Sequence, residues 1–554
     1  MQLPVAEEKR MTTGEKIVHL RISNGISQEQ LAKHLKVSRQ SVSKWESDKS
    51  QPEIEKIVKI AELFKITIDE LLNDNIVIHR GKQLDNPEEK IENHYFGTDG
   101  FRGEVNKVLT CDHAYKIGRF FGWFFSNPKY TLQKKGYRPK VVIGKDTRRS
   151  SYMLEYAVAS GLAASGADVY LLHVTTTPSV SYIVRQDYFD CGVMITASHN
   201  PFYDNGIKII NSAGEKLDDN IAALCEAYID GNLAKLGIKE DDLPFAEQDK
   251  IGVIVDYYSG RNRYIAYLLS LARHSMQNLK IGLDTANGAS WMIAKSVFDA
   301  LGAQTHVINN QPDGLNINRD AGSTHIEKFC QYVKENKLDV GFAFDGDADR
   351  CLAVDEKGEV VDGDKIIYLL ATKLLKENAL NNNTVVTTIM SNTGLTKALK
   401  AIGVNNVQTQ VGDRFVFEKM QKEDYVLGGE QSGHIIIKRY ATTGDGVLTA
   451  IMVAEEMLTR KEALSKLVAP VKLLPQDMKS VRVTSKDEAI NDPDVQDAFK
   501  KINEEIGEDG RISLRKSGTE PVIRIMVEYP NLAGCKKYIE RMYNVIKKKG
   551  YVYE

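Results

Sequence analysis

From Tyr95 onward, short runs rich in β-branched residues alternate with amphipathic helical stretches, and this alternation restricts the fold more than any other feature. The runs VVIG, GVMIT, KIGLDT, VGFAFD and VVTTIM each end in a polar or glycine loop, and helical stretches such as SYMLEYAVASGLAASG follow. Strands that alternate with helices form parallel or mixed sheets with helices packed on them. The sequence therefore predicts an α/β fold here.

A weak internal repeat supports several domains of this kind. VVIGKDTRRSS (141–151), KIGLDTANGAS (280–290) and TTIMSNTGL (387–395) each predict a strand, a polar loop and a helix. Their spacing matches a domain-sized unit, although any α/β protein offers similar strings by chance. The last stretch, 473–554, combines VRVT, RISLRKSGT and VIRIMVEYP with one long helix and predicts a small α+β domain.

The N-terminal part of the chain has a different pattern. Residues 11–75 repeat apolar side chains at helical spacing, and Ser27, Ser38 and Pro52 mark helix starts. This predicts a compact all-helical unit. Residues 76–94 are charged and weakly periodic, which predicts a linker.

Length and composition limit the possible classes of protein. At roughly 150 residues per domain, 554 residues predict about three to five domains. Lys and Arg total 73 against 75 for Asp and Glu, so a global basic surface for nucleic acid is excluded but a local one is not. No apolar run is long enough to span a membrane, no signal core is present, and the scattered cysteines predict reduced thiols. We therefore expect a cytoplasmic protein.

The most informative loop is MITASHNPFYDNGIKII. A predicted strand ends just before Ser198 and His199, and ligands bind at the carboxyl ends of parallel strands. A serine needs a base, a cation or a metal to become a good nucleophile. Because no G-x-S-x-G elbow surrounds Ser198, a lipase-like triad is disfavoured, and an ordinary polar turn is the alternative.

A second loop, FAFDGDADR, places three carboxylates at the end of an apolar strand. Asp345, Asp347 and Asp349 would repel one another unless a cation neutralised them, and hard oxygen ligands favour Mg²⁺. The adjoining Arg350 suggests an anionic partner such as phosphate. A solvated acidic turn is the alternative.

Four further segments carry donors for hydroxyls and phosphates. Glu430, Ser432 and His434 in GGEQSGHIII, followed by YATTGDG, suit a sugar. RKSGTEPVIRIMVE offers a phosphate cradle; its residues are Arg515, Ser517, Gly518, Thr519 and Arg524. FGTDGFRG contributes Arg102, and GKDTRRSS puts Arg148 and Arg149 near a helix start that favours anions. Together these segments predict phosphoryl transfer on a phosphorylated polyol, although each alone could be a surface loop.

These strings, in this order, resemble the α-D-phosphohexomutase family. The resemblance covers residues 95–554, and it rests on the strings FGTDGFRG, TASHNP, DGDADR, GEQSGH with TTGDG, and RKSGTEP. The resemblance implies three α/β mixed-sheet domains and a C-terminal α+β domain. The implied boundaries are 95–240 (phosphoserine), 241–360 (metal loop), 361–470 (sugar-binding loop) and 471–554 (phosphate-binding).

The resemblance also implies a role for each matching residue. Ser198 would be the phosphoserine, and its phosphate would complete a Mg²⁺ site with the three aspartates of DGDADR. Arg102 and Lys208 would flank it, with Lys208 as the candidate general acid/base and His199 as a second possibility. The remaining implied substrate-binding residues are Arg350, Gly412, Asp413, Glu430, Ser432, His434, Arg515, Ser517, Gly518, Thr519 and Arg524.

Within the family, the strings most resemble members that interconvert glucosamine 6-phosphate and glucosamine 1-phosphate through a hexosamine 1,6-bisphosphate. Phosphomannomutase/phosphoglucomutase relatives more often have Met where this chain has Gln431, and that activity is the first alternative. The second is a transcriptional regulator that only senses a sugar phosphate. The presence of Ser198 and all three aspartates favours an active enzyme.

The N-terminal unit, 11–75, resembles the phage-repressor-type helix-turn-helix family through SQEQLAKHLKVSRQSVSKWESDKSQPE. The resemblance implies that a helix from Ser38 to about Ser47 enters the major groove of DNA. Val42 and Trp45 should face the core. The candidate DNA-binding residues are Gln28, Arg39, Gln40, Ser43 and Lys44.

The charge of this unit is divided along its length. Residues 11–50 carry seven basic and four acidic residues, whereas residues 51–75 carry three basic and six acidic ones. A basic reading face with an acidic back is typical of local DNA binding. A packing or dimerisation module is the alternative, and since such units often bind two-fold sites, a homodimer is expected.

Overall fold

The structure is a computed structural model, and its described residues are 12–23, 28–64, 66, 68–72, 95–97, 99–128, 130–131, 136–239, 242–516 and 521–553. Three sequence predictions lie outside the described residues: the Ser27 helix start, the linker 76–94, and the phosphate loop at Ser517, Gly518 and Thr519.

The N-terminal unit is helical, as predicted. Its helices are α1 (Thr13–Ser23), α2 (Gln28–Leu35), α3 (Arg39–Glu46), α4 (Ile54–Leu63) and α5 (Ile68–Leu72). The Ser38 hydroxyl accepts the Ser41 N–H and caps α3, which confirms that helix start. Val42 and Trp45 are buried in the core of the unit, again as predicted. The short α5 was not predicted, because five residues carry too little periodicity.

The described chain divides into two compact units. The first contains the described residues up to 329 together with 342–350 and 440–448. The second contains 330–341, 351–439 and the described residues from 449 onward.

A seven-stranded sheet in the order β1-β2-β6-β5-β3-β4-β7 forms the main layer of the first unit. Its strands are β1 (Phe96–Gly97), β2 (Gly100–Glu104), β3 (Lys140–Lys145), β4 (Asp168–Val174), β5 (Cys191–Ile195), β6 (Asp204–Asn211) and β7 (Ile254–Asp256). The strands β5, β3, β4 and β7 run parallel, and β6 is antiparallel to both of its neighbours. The helices around this sheet are α6 (Cys111–Ser126), α7 (Arg149–Ala164), α8 (Thr177–Gln186), α9 (Asp219–Ile229) and α10 (Tyr258–Leu271).

The chain continues into three strands in the order β10-β8-β9. These are β8 (Lys280–Asp284), β9 (Gln304–Ile308) and β10 (Val340–Phe344), and the helices α11 (Ile293–Ala300) and α12 (Glu327–Glu335) lie between them in sequence. The strands β5 and β10 are fully buried, and each ends directly before a loop of predicted site residues. The sheets therefore set the starting points of these loops.

The second unit contains an antiparallel pair, β11 (Cys351–Asp355) with β12 (Val360–Val361), and two further sheets. One is mixed, in the order β14-β13-β15-β16. Its strands are β13 (Thr384–Thr388), β14 (Asn405–Thr409), β15 (Leu427–Gly429) and β16 (Ile435–Ile437). The other is antiparallel, in the order β17-β19-β18, with β17 (Gln476–Arg482), β18 (Arg511–Lys516) and β19 (Val522–Glu528).

The remaining helices begin with α13 (Gly363–Lys376), α14 (Thr393–Ala401), α15 (Asp413–Lys422) and α16 (Gly446–Arg460). They continue with α17 (Leu464–Leu467), α18 (Lys486–Asn491), α19 (Pro493–Ile506) and α20 (Leu532–Lys548). The predicted fold class is confirmed: mixed α/β sheets are followed by an α+β end and preceded by a helical unit. Each of the three repeat strings begins with a strand and a loop, and a helix follows: α7 and α14 begin within their strings, whereas α11 begins at Ile293, just after the second string ends. Among the described helices, none is long and apolar enough to cross a membrane.

Candidate active site

Ser198 lies in the loop that follows β5, with its backbone in the left-handed region at φ 50°. Its side chain is almost completely buried. The Ser198 N–H donates to Thr196 Oγ1 at 2.9 Å. Its carbonyl oxygen accepts from Asn318 Nδ2 at 2.8 Å. These contacts fix a backbone conformation that non-glycine residues rarely adopt.

Arg148 binds the loop that carries Ser198 and uses all five of its N–H groups. Nε donates to Asp146 Oδ2 (2.8 Å), Nη1 to the carbonyls of Pro201 and Asp204, and Nη2 to the carbonyls of Ser198 (2.9 Å) and Asn200 (2.8 Å). The side chain is fully buried. The sequence interpretation of Arg148 as an anion-binding residue at a helix start is therefore wrong: its charge is used to hold the loop. Its neighbour Arg149 is exposed.

The three aspartates of DGDADR meet at Ser198. Asp345, Asp347 and Asp349 are buried, and one oxygen of each lies within 4.8 Å of the others. Asp345 Oδ2 accepts a 2.6 Å hydrogen bond from Ser198 Oγ. Within the described part of the chain, Asp347 Oδ1 and Asp349 Oδ1 have no hydrogen-bond partner. Buried carboxylate oxygens without donors fit a hard divalent cation such as Mg²⁺.

Close backbone contact brings the aspartate loop to the serine loop. A Cβ atom on Gly346 would lie 2.4 Å from the Ser198 carbonyl oxygen, which is nearer than real Cβ atoms approach. Only glycine therefore allows this approach. On the far side, Thr177 at the start of α8 donates from Oγ1 to Asp347 Oδ2 at 2.5 Å.

Basic side chains surround this cluster. Lys208 Nζ donates to Asp347 Oδ2 at 2.7 Å and to Asp349 Oδ2 at 3.3 Å. Arg350 Nη1 lies 3.4 Å from His199 Nδ1, which is itself 3.4 Å from Ser198 Oγ. The structure thus brings these predicted residues to one place.

Arg102 belongs to the same basic set. It forms an ion pair with Asp99 at 3.3 Å, and Asp99 also accepts from Lys216 Nζ at 2.7 Å. Its positive charge is one of those that act on His199.

Electrostatics separate the carboxyl groups of the cluster. Burial, together with the charges of Asp349 and Asp347, raises the pKa of Asp345 well above its usual value. Burial also acts to raise the pKa of Asp347, but the Lys208 ammonium outweighs it and holds that pKa below its usual value. The paired carboxylates in turn overcome burial and raise the pKa of Lys208.

The pKa of His199 is lowered, whereas the pKa of Lys208 is raised by the carboxylates beside it. Burial, followed by the positive charges of Arg350 and Arg102, lowers its pKa to about 4. His199 is therefore neutral at physiological pH. A neutral imidazole next to Ser198 can accept a proton, whereas the cations around it attract an anion such as a phosphoryl group.

A second group of predicted residues lies in the second unit, in the loop between β15 and β16. Glu430 Oε1 accepts the Gly412 N–H at 3.2 Å. His434 Nε2 lies 3.4 Å from Asp413 Oδ2. Ser432 lies at the exposed tip of this loop. Two loops, 411–413 and 430–434, are thus brought together as donors and acceptors suited to sugar hydroxyls.

Arg515 and Arg524 are direct cross-strand partners on β18 and β19. Burial, followed by the charge of Arg524, lowers the pKa of Arg515. Like charges placed opposite each other are unfavourable unless an anion bridges them, so this pair suits a phosphate.

The predicted DNA-contacting residues share one surface of the helical unit. Gln28, Arg39, Gln40, Ser43 and Lys44 line a single depression. Glu46 fixes its edge, because it accepts from Gln28 Nε2 at 2.7 Å and pairs with Arg21 Nε at 2.5 Å.

Four residues of the Ser198 site were missed by the sequence analysis. Asp146 accepts a hydrogen bond from Arg148, and Thr177 donates one to Asp347. Asn318 donates to the Ser198 carbonyl, and Asp99 forms an ion pair with Arg102. Asp146 follows a strand end, which is a usable signal. Thr177 and Asn318 have no local signal, since only the folded chain brings them to the loop.

Family models match the chain in order. Four models of the domains of phosphoglucomutase/phosphomannomutase match it. Alpha/beta/alpha domain I matches residues 93–234, domain II matches 262–358, domain III matches 362–473, and the C-terminal domain matches 478–545. A helix-turn-helix model matches residues 17–71.

Known proteins and solved structures agree with these matches. The phosphoglucosamine mutase of Lachnospira eligens is 55% identical over 457 residues, which are 82% of this chain and 99% of that protein. That of Lachnoclostridium phytofermentans is 55% identical over 458 residues, 83% of this chain and 99% of that protein. A phosphoglucomutase/phosphomannomutase family protein from Burkholderia thailandensis has a TM-score of 0.67 at 22% identity, over 83% of this chain and 99% of its own. The last likeness concerns the fold alone.

Proposed function

This chain belongs to the phosphoglucomutase/phosphomannomutase family and is an intramolecular phosphotransferase, and from that premise we propose that it interconverts glucosamine 6-phosphate and glucosamine 1-phosphate. The observation that carries the proposal is the Ser198 hydroxyl 2.6 Å from Asp345, within a buried carboxylate cluster that fits Mg²⁺. The substrate follows from the phosphoglucosamine mutases that share 55% identity with the chain.

The first step is a transfer from phosphorylated Ser198 to the free hydroxyl of the sugar phosphate. The bond between Ser198 Oγ and phosphorus breaks, a bond from the sugar oxygen to phosphorus forms, and the hydroxyl proton passes to a base. The product is hexosamine 1,6-bisphosphate, which also serves as the activator. After it turns around, Ser198 accepts the other phosphoryl group and the isomerised monophosphate leaves.

Charge neutralisation is the main work of the site, because the phosphoryl transition state is loose. Mg²⁺, when bound by Asp345, Asp347 and Asp349, supplies Lewis-acid charge to the phosphoryl oxygens. Arg102 and Arg350 supply further positive charge from the protein.

Two groups are proposed for proton transfer, Lys208 and His199. Lys208 Nζ is held by two carboxylates and remains protonated, so it suits the role of acid. His199 is neutral and 3.4 Å from Ser198 Oγ, so it suits the role of base.

Recognition of the sugar is assigned to the second unit. Glu430, Ser432 and His434, with Gly412 and Asp413, would bind the sugar hydroxyls and the amine. Arg515, Ser517, Gly518, Thr519 and Arg524 would hold the phosphate that is not reacting. The opposed arginines support this assignment.

A coupled assay that compares glucosamine, glucose and mannose phosphates tests the substrate. We expect the highest kcat/KM with glucosamine phosphate. Equal or better turnover of mannose 1-phosphate would refute this choice and favour a phosphomannomutase/phosphoglucomutase.

The helix-turn-helix unit is proposed to bind DNA in a sequence-specific way, which adds a regulatory function to a cytoplasmic enzyme. Support comes from the exposed α3 side chains around one depression and from the basic balance of residues 11–50. A mobility-shift assay on genomic fragments at two salt concentrations tests it. Binding that shows no preference among fragments would contradict it.

A further inference from the structure

The segment 440–446, with the sequence YATTGDG, belongs to the first compact unit and is bound there by side chains and main chain. We call this segment the strap. Tyr267 Oη on α10 donates to the Tyr440 carbonyl at 2.7 Å. Thr442 Oγ1 donates to the Gly214 carbonyl, also at 2.7 Å. The first half of the strap is therefore fixed by hydrogen bonds.

The second half of the strap is held by a buried pair, Tyr264 and Asp445. Tyr264 Oη on α10 donates to Asp445 Oδ2 at 2.8 Å. Asp445 Oδ1 accepts the Leu448 N–H at 2.9 Å, in the first turn of α16. Both side chains are almost completely buried. Burial, followed by the charge of Asp445, raises the pKa of Tyr264 well above its usual value, so the hydroxyl remains a donor.

Next to this pair, the main chain of the strap contacts the aspartate loop. The Gly446 N–H donates to the Ala348 carbonyl at 3.0 Å. A Cβ atom on Gly446 would lie 2.5 Å from the Arg350 carbonyl oxygen, so only glycine allows this approach. Ala348 has a left-handed backbone at φ 56° and lies between Asp347 and Asp349. The strap thus holds the main chain between two of the three carboxylates.

Tyr264 also supports the aspartate loop from the start of α8. The Thr176 side chain lies close enough to the Tyr264 hydroxyl to interact with it, and it caps α8 by accepting the Ser179 N–H. The next residue, Thr177, donates to Asp347 twice: from its N–H to the carbonyl at 3.1 Å and from Oγ1 to Oδ2 at 2.5 Å. One pair therefore supports the loop at two points.

We propose that Tyr264 and Asp445 are positioning residues for the Mg²⁺ site, an inference that rests on the proposed function. Three buried carboxylates repel one another before a cation binds. Support at Ala348 and at Asp347 keeps them close together, so less of the free energy of metal binding is lost in ordering the loop. The pair acts through Gly446 and the start of α8.

Mg²⁺ binding to the full chain, measured by calorimetry, tests the proposal. Tyr264→Phe removes one oxygen atom and should raise the Kd for Mg²⁺ about tenfold. Mutase turnover by this variant should fall at low Mg²⁺ and recover when Mg²⁺ is in excess. A purely structural defect would lower turnover at every Mg²⁺ concentration.

Asp445→Asn tests the other member of the pair. The asparagine side chain has one acceptor oxygen, whereas the Tyr264 O–H and the Leu448 N–H require two. This variant should also bind Mg²⁺ more weakly. The double variant Tyr264→Phe/Asp445→Asn should bind Mg²⁺ no more weakly than the weaker single variant, because both changes remove the same hydrogen bond.

Tyr267→Phe is the matched control. It removes the same hydroxyl from the same helix, but the partner of Tyr267 is Tyr440, at the opposite end of the strap from Asp445. Its Kd for Mg²⁺ should stay within about twofold of that of the unchanged chain. An equal loss of affinity in this control would overturn the proposal, and so would a failure of excess Mg²⁺ to restore turnover by Tyr264→Phe.

The comparison with Asp347→Asn separates this proposal from the proposed function. Normal Mg²⁺ affinity in Tyr264→Phe beside weak affinity in Asp347→Asn would overturn the positioning role alone. Absence of Mg²⁺ binding in the unchanged chain, or equal affinity in Asp347→Asn, would overturn the metal site and the positioning role together.

Discussion

Ser198 Oγ donates a 2.6 Å hydrogen bond to Asp345 Oδ2 across 147 residues of sequence. The contact joins the loop after β5 to the loop after β10. It places the Ser198 hydroxyl between the three buried aspartates and the basic side chains of the site. The proposed phosphoryl transfer depends on this position between negative and positive charges.

Removal of the hydroxyl should abolish turnover. We expect Ser198→Ala to lower mutase kcat/KM by about 10³-fold or more, because the proposed mechanism passes the phosphoryl group through the Ser198 hydroxyl. The coupled assay measures this, and phosphate labelling of the protein should disappear as well. The control is Ser212→Ala on an exposed loop, which should keep full activity. Substantial turnover by Ser198→Ala would sink the mechanism.

Loss of one carboxylate should weaken metal binding directly. Asp347→Asn should reduce Mg²⁺ affinity by more than about tenfold in calorimetry, because a hard cation loses a charged ligand. Chelation should inactivate the unchanged enzyme, and added Mg²⁺ should restore it. Asp320→Asn, at an exposed position, is the control and should bind Mg²⁺ normally. Equal affinity in both variants would argue against a site at DGDADR.

Arg148 should matter for stability more than its sequence neighbour. Arg148→Lys keeps the charge but loses most of the donors that hold four carbonyls, so we expect a loss of about 3 kcal/mol or more in urea unfolding. Arg149→Lys is the matched control and should change stability by less than about 0.5 kcal/mol. Similar values for the two variants would mean that the loop does not depend on this guanidinium.

The helix-turn-helix face can be mapped by alanine substitution. Arg39→Ala and Lys44→Ala should each weaken specific DNA binding by about 1–3 kcal/mol. If Lys44 contacts a phosphate, its variant should also show a shallower salt dependence. Lys59→Ala on α4, away from the depression, is the control. Equal effects from all three would indicate non-specific charge attraction.

Stability should depend on pH through Asp364. Burial, followed by the charge of Asp362, raises the pKa of Asp364 from 3.8 to about 7. The folded protein therefore binds this proton more tightly than the unfolded chain does, and stability falls as pH rises between those two values.

Urea unfolding at pH 5 and pH 8 measures this effect. The unchanged protein should lose about 2 to 3 kcal/mol more than Asp364→Asn does across that interval. The exposed Asp497→Asn should behave like the unchanged protein. A pH profile of Asp364→Asn that is identical to that of the unchanged protein would contradict the shifted pKa.

The sequence predicted those features that are local in the chain. The strands β5 and β10, the loops that follow them, and the exposed face of α3 all follow from short strings with a clear period or charge pattern. The aspartate triplet was predicted because three carboxylates in five residues leave few alternatives.

The same reasoning failed where one string permits two structures. An arginine near a helix start, such as Arg148, can bind an anion or donate hydrogen bonds to backbone carbonyls. Which of these occurs depends on the folded loop and cannot be read from the local sequence. Asn318 reaches the Ser198 carbonyl from 120 residues away, so no local pattern marks it. Such contacts depend on tertiary packing, which the sequence does not display.

The left-handed backbone of Ser198 has a consequence for the choice of amino acid at this position. Threonine carries the same hydroxyl, but its branched Cβ makes a positive φ strongly unfavourable. A threonine carrier would have to rebuild the whole turn held by Arg148 and Asn318 before its oxygen could reach Asp345. Of the two amino acids with an aliphatic hydroxyl, serine therefore fits position 198 and threonine does not. The reason is the main-chain conformation and not the nucleophilicity of the hydroxyl.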